Sequence, residues 1–482
     1  MKRQNKLSLA IALALITGSL PIAAAQSAAD FQDEEYYKSG GLNLINAAEA
    51  YALGYTGKGV TLGICDMPIN FQHPELLQKA KSGMVNLSTY AGGSMGVYPW
   101  DVLMHGSHVA GIAAASRDGT GMQGIAYESE IAGSNVQEDY STDGSFVLSR
   151  NLYRYYLQDP EIKVINNSWE PSGKKGENYF PDIMGDEAAK KFLVNDTAQY
   201  TKQIAEAVKA DKLLIFAAGN TGHPTANITA LCPLFLPETA NQLIMVTNVN
   251  NTHVSRSGEG TLTAAESMMA YGSDLAKYAE DYTLTAPGKN IFSLNANYAT
   301  DGVLYIGEEG TSMAAPFVTG TGALVQQAFP YMSAKQIGDV LLSTANSEIQ
   351  SSVDYSCSLH KDVDAQGNTS YQVNVFNFSA GESDAAQEMV ARFKASLEKS
   401  GVPIQKVNLY YNVPLQELIG QGVVDAGAAV EGPGALNARR LSSSDISSSY
   451  TVNGTAAQQA LYSVDTQGYD SVWSNDIKEI KA

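Results

Sequence analysis

The sequence is poor in the residues that build metal clusters and disulfide frameworks. Its 482 residues include 3 cysteines and 6 histidines. There is no Cys-x-x-Cys pair and no His-Glu-x-x-His helix signature, so no metal or other cofactor is expected. Three cysteines permit at most one internal disulfide in an exported protein. Cys232 and Cys357 are the better pair, and Cys65, inside the apolar run Val60 to Cys65, reads as a buried thiol.

Positive charge is also scarce. Lysine and arginine number 31 against 50 acids, for a net charge of −19. Such a surface repels phosphate backbones and anionic headgroups, so nucleic acid is not an expected partner. Long hydrophobic runs are missing too. The N-terminal stretch Leu7 to Leu20 is shorter than the roughly 20 residues of a membrane helix. It follows Lys2, Arg3 and Lys6 and precedes Ala23-Ala24-Ala25, the layout of a secretory signal peptide over residues 1–25. The expected mature chain is exported and has no membrane span after signal removal.

With 44% hydrophobic residues, the chain has what a large globular core requires. From residue 60 onward, short apolar runs alternate with helical patterns. Val60 to Cys65, Glu130 to Val136, Lys163 to Ser168, Leu213 to Ala218 and Leu243 to Asn248 read as buried strands. Tyr140 to Leu157, Asn195 to Ala210 and Ser312 to Phe329 read as helices. This alternation predicts an α/β fold of three layers, a mostly parallel central sheet with helices on both faces, whose ligand site lies at the carboxyl ends of the strands. Residues 26–58 form a Tyr-rich lead-in before the domain at 59–440. Within that domain, 344–412 turns polar, with an alternating stretch Tyr371 to Phe378 and a helix Ala385 to Lys399, and reads as an insertion. Residues 441–482 are a Ser-rich tail.

Three groups carry the chemistry. Gly310-Thr311-Ser312-Met313-Ala314-Ala315-Pro316 places a serine where a Gly-containing loop meets a helix; by itself this is also the pattern of a helix cap. His105-Gly106-Ser107-His108-Val109-Ala110-Gly111 supplies a base at a small-residue helix. Its two histidines are three apart, not the four of a metalloprotease helix. Asp66, at the end of an apolar strand, supplies a carboxylate to orient the base. The order Asp, His, Ser is that of the subtilisin triad and differs from those of chymotrypsin and the α/β-hydrolases. A further string, Gly92-Gly93-Ser94-Met95-Gly96, matches an esterase nucleophile elbow but lacks a strand before it and a helix after it, and reads as a loop.

These motifs, with His73-Pro74-Glu75-Leu76 and Phe216-Ala217-Ala218-Gly219-Asn220, resemble the subtilisin-like serine endopeptidases over about residues 59–325. The resemblance implies a subtilisin-like fold and hydrolysis of protein or peptide substrates through an acyl-enzyme. Ser312 would be the nucleophile, His105 the general base, Asp66 its orienting carboxylate and Asn220 an oxyanion donor. It also implies substrate-binding walls at Ser168-Trp169-Glu170 and at Ala217, Ala218 and Gly219. Glu170 replaces a residue commonly small in the family, and its carboxylate either favours basic side chains or faces solvent. Met67-Pro68 departs from the usual small residues after the aspartate, so the loop there must differ. The competing reading is a catalytically silent binding protein of the same fold.

A narrower resemblance links Gly41 to Ala47, Gly420 to Ala426 and Trp473 to Ile477 to the passenger proteases of bacterial autotransporters. It implies secretion from a Gram-negative bacterium to the medium, the cell surface or the periplasm. No alternating barrel strands follow before Ala482, so anchoring by that route is not expected.

Overall fold

A computed structural model describes residues 26–432, except 82–99, 141–145, 149–151, 170–197, 228–229, 237–238, 240–241, 259, 364–365, 367 and 402. Six parallel strands form the central sheet: β1 (Thr61–Asp66), β2 (Glu130–Asn135), β3 (Val164–Asn167), β4 (Leu213–Ala217), β5 (Leu243–Val249) and β6 (Thr283–Pro287). Their order is β6-β5-β4-β3-β1-β2. The chain leaves β1 to one side for β2 and returns to the other side for β3. The crevice between the carboxyl ends of β1 and β3 is therefore the point where the strand order reverses, where open α/β sheets hold ligands.

Strand pleating explains the layers. Successive side chains face opposite sides. Leu62 and Ile64 of β1, with Leu213, Ile215 and Ala217 of β4, join one apolar cluster with helices α1 (Trp100–Ala114) and α3 (Thr311–Ala328). Cys65, Leu214 and Phe216 join a second cluster with Ile204, Ala207 and Val208 of α2 (Ala198–Lys209). Helices therefore cover both faces, which makes the protein a three-layer α/β structure. Each fully buried Leu, Ile or Phe in these layers contributes roughly 1.5–3 kcal/mol by leaving water.

The sixth strand is not evident from hydropathy because Thr-Leu-Thr-Ala-Pro alternates polar with apolar residues. Its threonines are buried and bonded: Thr285 pairs with the Thr247 hydroxyl and also donates to the Ile419 carbonyl at 3.1 Å. Pro287 is tolerated because β6 lies at the sheet edge. The helix expected over Tyr140 to Leu157 is absent among the described residues. The chain there forms two short antiparallel strands, Gln137–Tyr140 and Phe146–Leu148, then a 3-10 turn at Tyr156–Gln158. The strands flank Asp143-Gly144, a dipeptide that favours hairpins over helical continuation.

Residues after 26 are built into the main core. Phe31, Tyr36, Leu42, Ile45 and Tyr51 are buried in the α1–α3 cluster. Arg256, whose side chain is covered, donates to the Leu44 carbonyl at 3.0 Å and to Asp425 at 2.8 Å, tying this segment to the end of the described chain.

A separate small sheet has β7 (Tyr355–Val363), β8 (Thr369–Asn377) and β9 (Ile404–Tyr410), with α5 (Asp384–Lys399) crossing from β8 to β9; α4 is the earlier helix Ala334–Ser343. Its own apolar cluster contains Cys357, Val373, Val375, Met389 and Val390. This corrects the expected Cys232–Cys357 pair. Cys357 lies 3.4 Å from Met389 Sδ in the small-sheet cluster, Cys232 lies in the α2-side cluster, and neither forms a disulfide. Two thiols in different cores cannot meet the geometry of a disulfide.

Candidate active site

Asp66 is the last residue of β1 and 1% exposed. His105 lies inside α1, and its Nδ1–H donates to Asp66 Oδ1 at 2.7 Å. That bond fixes the tautomer with Nδ1 protonated and leaves Nε2 as the acceptor. Burial opposes protonation of His105, but the Asp66 carboxylate, by charge and hydrogen bond, with a lesser contribution from Glu308, more than offsets it. Its pKa therefore lies above the ordinary histidine value.

His108, three residues further on, has a different environment. It is buried, its Nε2–H donates to the Ile306 carbonyl at 3.3 Å, and burial pulls its pKa down to about 4. Stable neutrality and a backbone partner give it a packing role. No group of three or more metal-ligating side chains occurs among the described residues.

The Met67-Pro68 departure is accommodated by specific contacts. Met67 N–H donates to Asp66 Oδ1 at 2.7 Å, and Asn70 N–H donates to the Ser107 hydroxyl at 2.9 Å. A Cβ on Gly106 would stand 2.0 Å from the Met67 carbonyl, so only glycine lets α1 approach this loop. The loop is thus tied to the same helix that carries His105.

Ser312 is the second residue of α3, in the first turn, where backbone N–H groups have no intrahelical acceptor and the helix dipole favours negative charge. Its hydroxyl donates to the Ser168 carbonyl at 3.3 Å, and Ser168 Oγ donates back to the Ser312 carbonyl at 2.8 Å. The second bond has a sequence cause. Pro316, four residues beyond Ser312, has no N–H to bond that carbonyl, and Ser168 replaces it. Among the described residues His105 Nε2 makes no hydrogen bond with Ser312; such bonds are often long in free enzymes and tighten with substrate.

Asn220 is exposed just beyond β4. Its Oδ1 accepts from Thr311 N at 2.8 Å and from Thr311 Oγ1 at 3.2 Å. Because the oxygen is committed to the residue beside Ser312, the amide nitrogen remains as a donor. Thr311 was not singled out from sequence; its position next to the serine was the available signal. Ala217 and Ala218 are buried, Gly219 N–H donates to Thr311 Oγ1 at 3.1 Å, and Trp169 stacks edge-on against Phe216 at 5.5 Å. The structure thus gathers Asp66 with His105, and Ser168, Gly219 and Asn220 with Thr311 and Ser312. Glu170 and the Ser94 loop lie outside the described residues.

A model of the Subtilase family matches residues 57–382, more than half of the chain, and the chain belongs to that family of subtilisin-like serine peptidases. It is 29% identical over 361 residues to an extracellular serine protease of Serratia marcescens, covering 64% of this chain and 32% of that protein. It is 25% identical over 356 residues to the autotransporter lipoprotein NalP of Neisseria meningitidis, covering 63% and 32% respectively. Against subtilisin of Bacillus pumilus it is 28% identical over 307 residues, covering 63% of this chain and 90% of that one. The chain thus spans about a third of the length of the first two relatives.

Proposed function

We propose that the chain is an exported serine endopeptidase that hydrolyses peptide bonds through an acyl-enzyme. The observation that carries this reading is the 2.7 Å Asp66–His105 bond at the strand-order reversal, on the same side of the sheet as the α3 terminus that presents Ser312. In this reading His105 Nε2 takes the Ser312 proton as Oγ attacks the scissile carbonyl, then delivers it to the leaving amine. Asp66 holds the tautomer and stabilises the imidazolium. The Asn220 side-chain N–H and the Ser312 backbone N–H donate to the oxyanion. Water then attacks the acyl carbonyl by the same route in reverse. Ser168 and Trp169 line one side of the substrate groove, with Ala217, Ala218 and Gly219 opposite.

Export is supported by the signal-like residues 1–25 and by the extracellular and autotransporter proteins among the relatives, and a Gram-negative cell surface or medium is the proposed location. Among the described residues no helix is long and apolar enough to cross a membrane.

The test is organophosphate labelling with mass mapping, beside cleavage of an unfolded protein. Labelling confined to Ser312, and loss of cleavage in Ser312→Ala, are expected. Full activity in folded Ser312→Ala would overturn the proposal, and an unlabelled, inactive wild type would favour a binding protein.

A further inference from the structure

The loop that follows Asn220 is held from two directions. From the main domain, buried Asp274 Oδ1 accepts from Thr221 N–H at 2.9 Å, from the Thr221 hydroxyl at 2.8 Å and from His223 N–H at 2.9 Å. From the small sheet, Ser358 Oγ donates to the Gly222 carbonyl at 2.6 Å and Asn374 Nδ2 donates to the same oxygen at 3.0 Å. His360 Nδ1–H donates to the Thr221 carbonyl at 2.7 Å. Ser358, His360 and Asn374 are at most 5% exposed.

The fit is close as well as polar. A Cβ on Gly222 would stand 2.2 Å from the Leu359 carbonyl, and Gly222 has φ +71°, a region that disfavours other residues. Two carbonyls directly after Asn220 therefore receive donors from β7 and β8, strands of a sheet with its own core. An oxyanion donor is effective to the extent that it is fixed before charge develops, since an immobile dipole costs no reorganisation in the transition state.

We propose that the small sheet is a clamp for the oxyanion loop, with Ser358, His360 and Asn374 as positioning residues that act through Asn220. The inference rests on the oxyanion role proposed for Asn220. It gives the small sheet a part in the reaction rate, separate from any part in substrate binding.

The test is a double-mutant cycle measured as kcat and KM on a peptide substrate, with folding followed by circular dichroism. Because loosening a donor costs less than deleting it, Ser358→Ala/Asn374→Ala should lower kcat about tenfold with KM little changed. In an Asn220→Ala background the same pair should change kcat by less than about twofold. Met389→Ala, which loosens the small-sheet core without touching the loop, should leave kcat unchanged in folded protein. Should the double variant fail to fold, His360→Ala runs the same cycle with a smaller drop. The clamp is overturned if kcat is unchanged in folded variants, if the loss is equal in both backgrounds, or if Met389→Ala lowers kcat equally. If Asn220→Ala itself leaves kcat unchanged, the oxyanion reading fails and the clamp with it, an outcome distinct from the others.

Discussion

The two ends of the site are held in different ways. At the proposed acid–base end, Asp66 and His105 are 39 residues apart in the chain and meet directly through one short bond. At the proposed oxyanion end, Asn220 is fixed by Thr311, 91 residues away, and its loop by Ser358 and Asn374, 136 and 152 residues from Gly222. The first end is a pair of side chains on neighbouring elements. The second is the product of three separate segments converging on one loop. Chemistry that needs a correct tautomer is served by a local bond, whereas a donor placed to meet a transient charge needs support from all sides.

The largest effect should come from breaking the first end. Asp66→Asn keeps the shape but lets His105 adopt the wrong tautomer, and kcat should fall by about 10⁴, the magnitude known for this change in a serine protease triad. Retention of more than a tenth of wild-type kcat would show that Asp66 does not orient the base. Breaking the second end should cost less. Asn220→Ala is expected to lower kcat by about 10²–10³ with little change in KM, a magnitude measured in subtilisin itself. A purely elevated KM would instead place Asn220 in ground-state binding.

The smallest effect sharpens the comparison through pH. In the proposed mechanism His105 must be neutral to accept the Ser312 proton, and Asp66 raises its pKa, so kcat/KM should rise with pH through a value above the ordinary 6.5 or so. In residual activity of Asp66→Asn that limb should move to lower pH, while Asn220→Ala should leave it in place. The stability linkage has the matching sign. Protonated His105 stabilises the fold fully below the unfolded pKa, and the contribution is lost as pH rises through the folded one. An acid limb that does not move in Asp66→Asn would detach it from His105.

His105 and His108 show how far residue type alone is informative. Both stand on α1, three residues apart, yet one is raised by a carboxylate and the other is held neutral by burial near about 4. The sequence spacing argued against a metal pair, but the difference between the proposed base and its buried neighbour arises from what lies opposite each ring. Five of the six core strands were readable because each carries a short apolar run, although β2 ends in Ser-Asn and β3 in Asn-Asn. The sixth was hidden by threonines whose polar atoms are satisfied only after folding, by Thr247 and the Ile419 carbonyl. The Tyr140 to Leu157 region misled because helical spacing in a short segment competes poorly with turn chemistry.

By itself, the sequence determined the chain order of the apolar strands, the family motifs around Asp66, His105, Asn220 and Ser312, and the acidic composition poor in cysteine and histidine. These are local properties, written in runs of a few residues whose burial or turn preference does not depend on distant partners. Only the tertiary structure decided that Ser168 replaces the hydrogen bond lost at Pro316, that the segment after residue 26 belongs to the core, and that Cys232 and Cys357 sit apart. It also brought the small sheet onto the Asn220 loop. The physical reason is common to all four. Each depends on one atom meeting another more than a hundred residues away, or failing to, and no local preference encodes that distance.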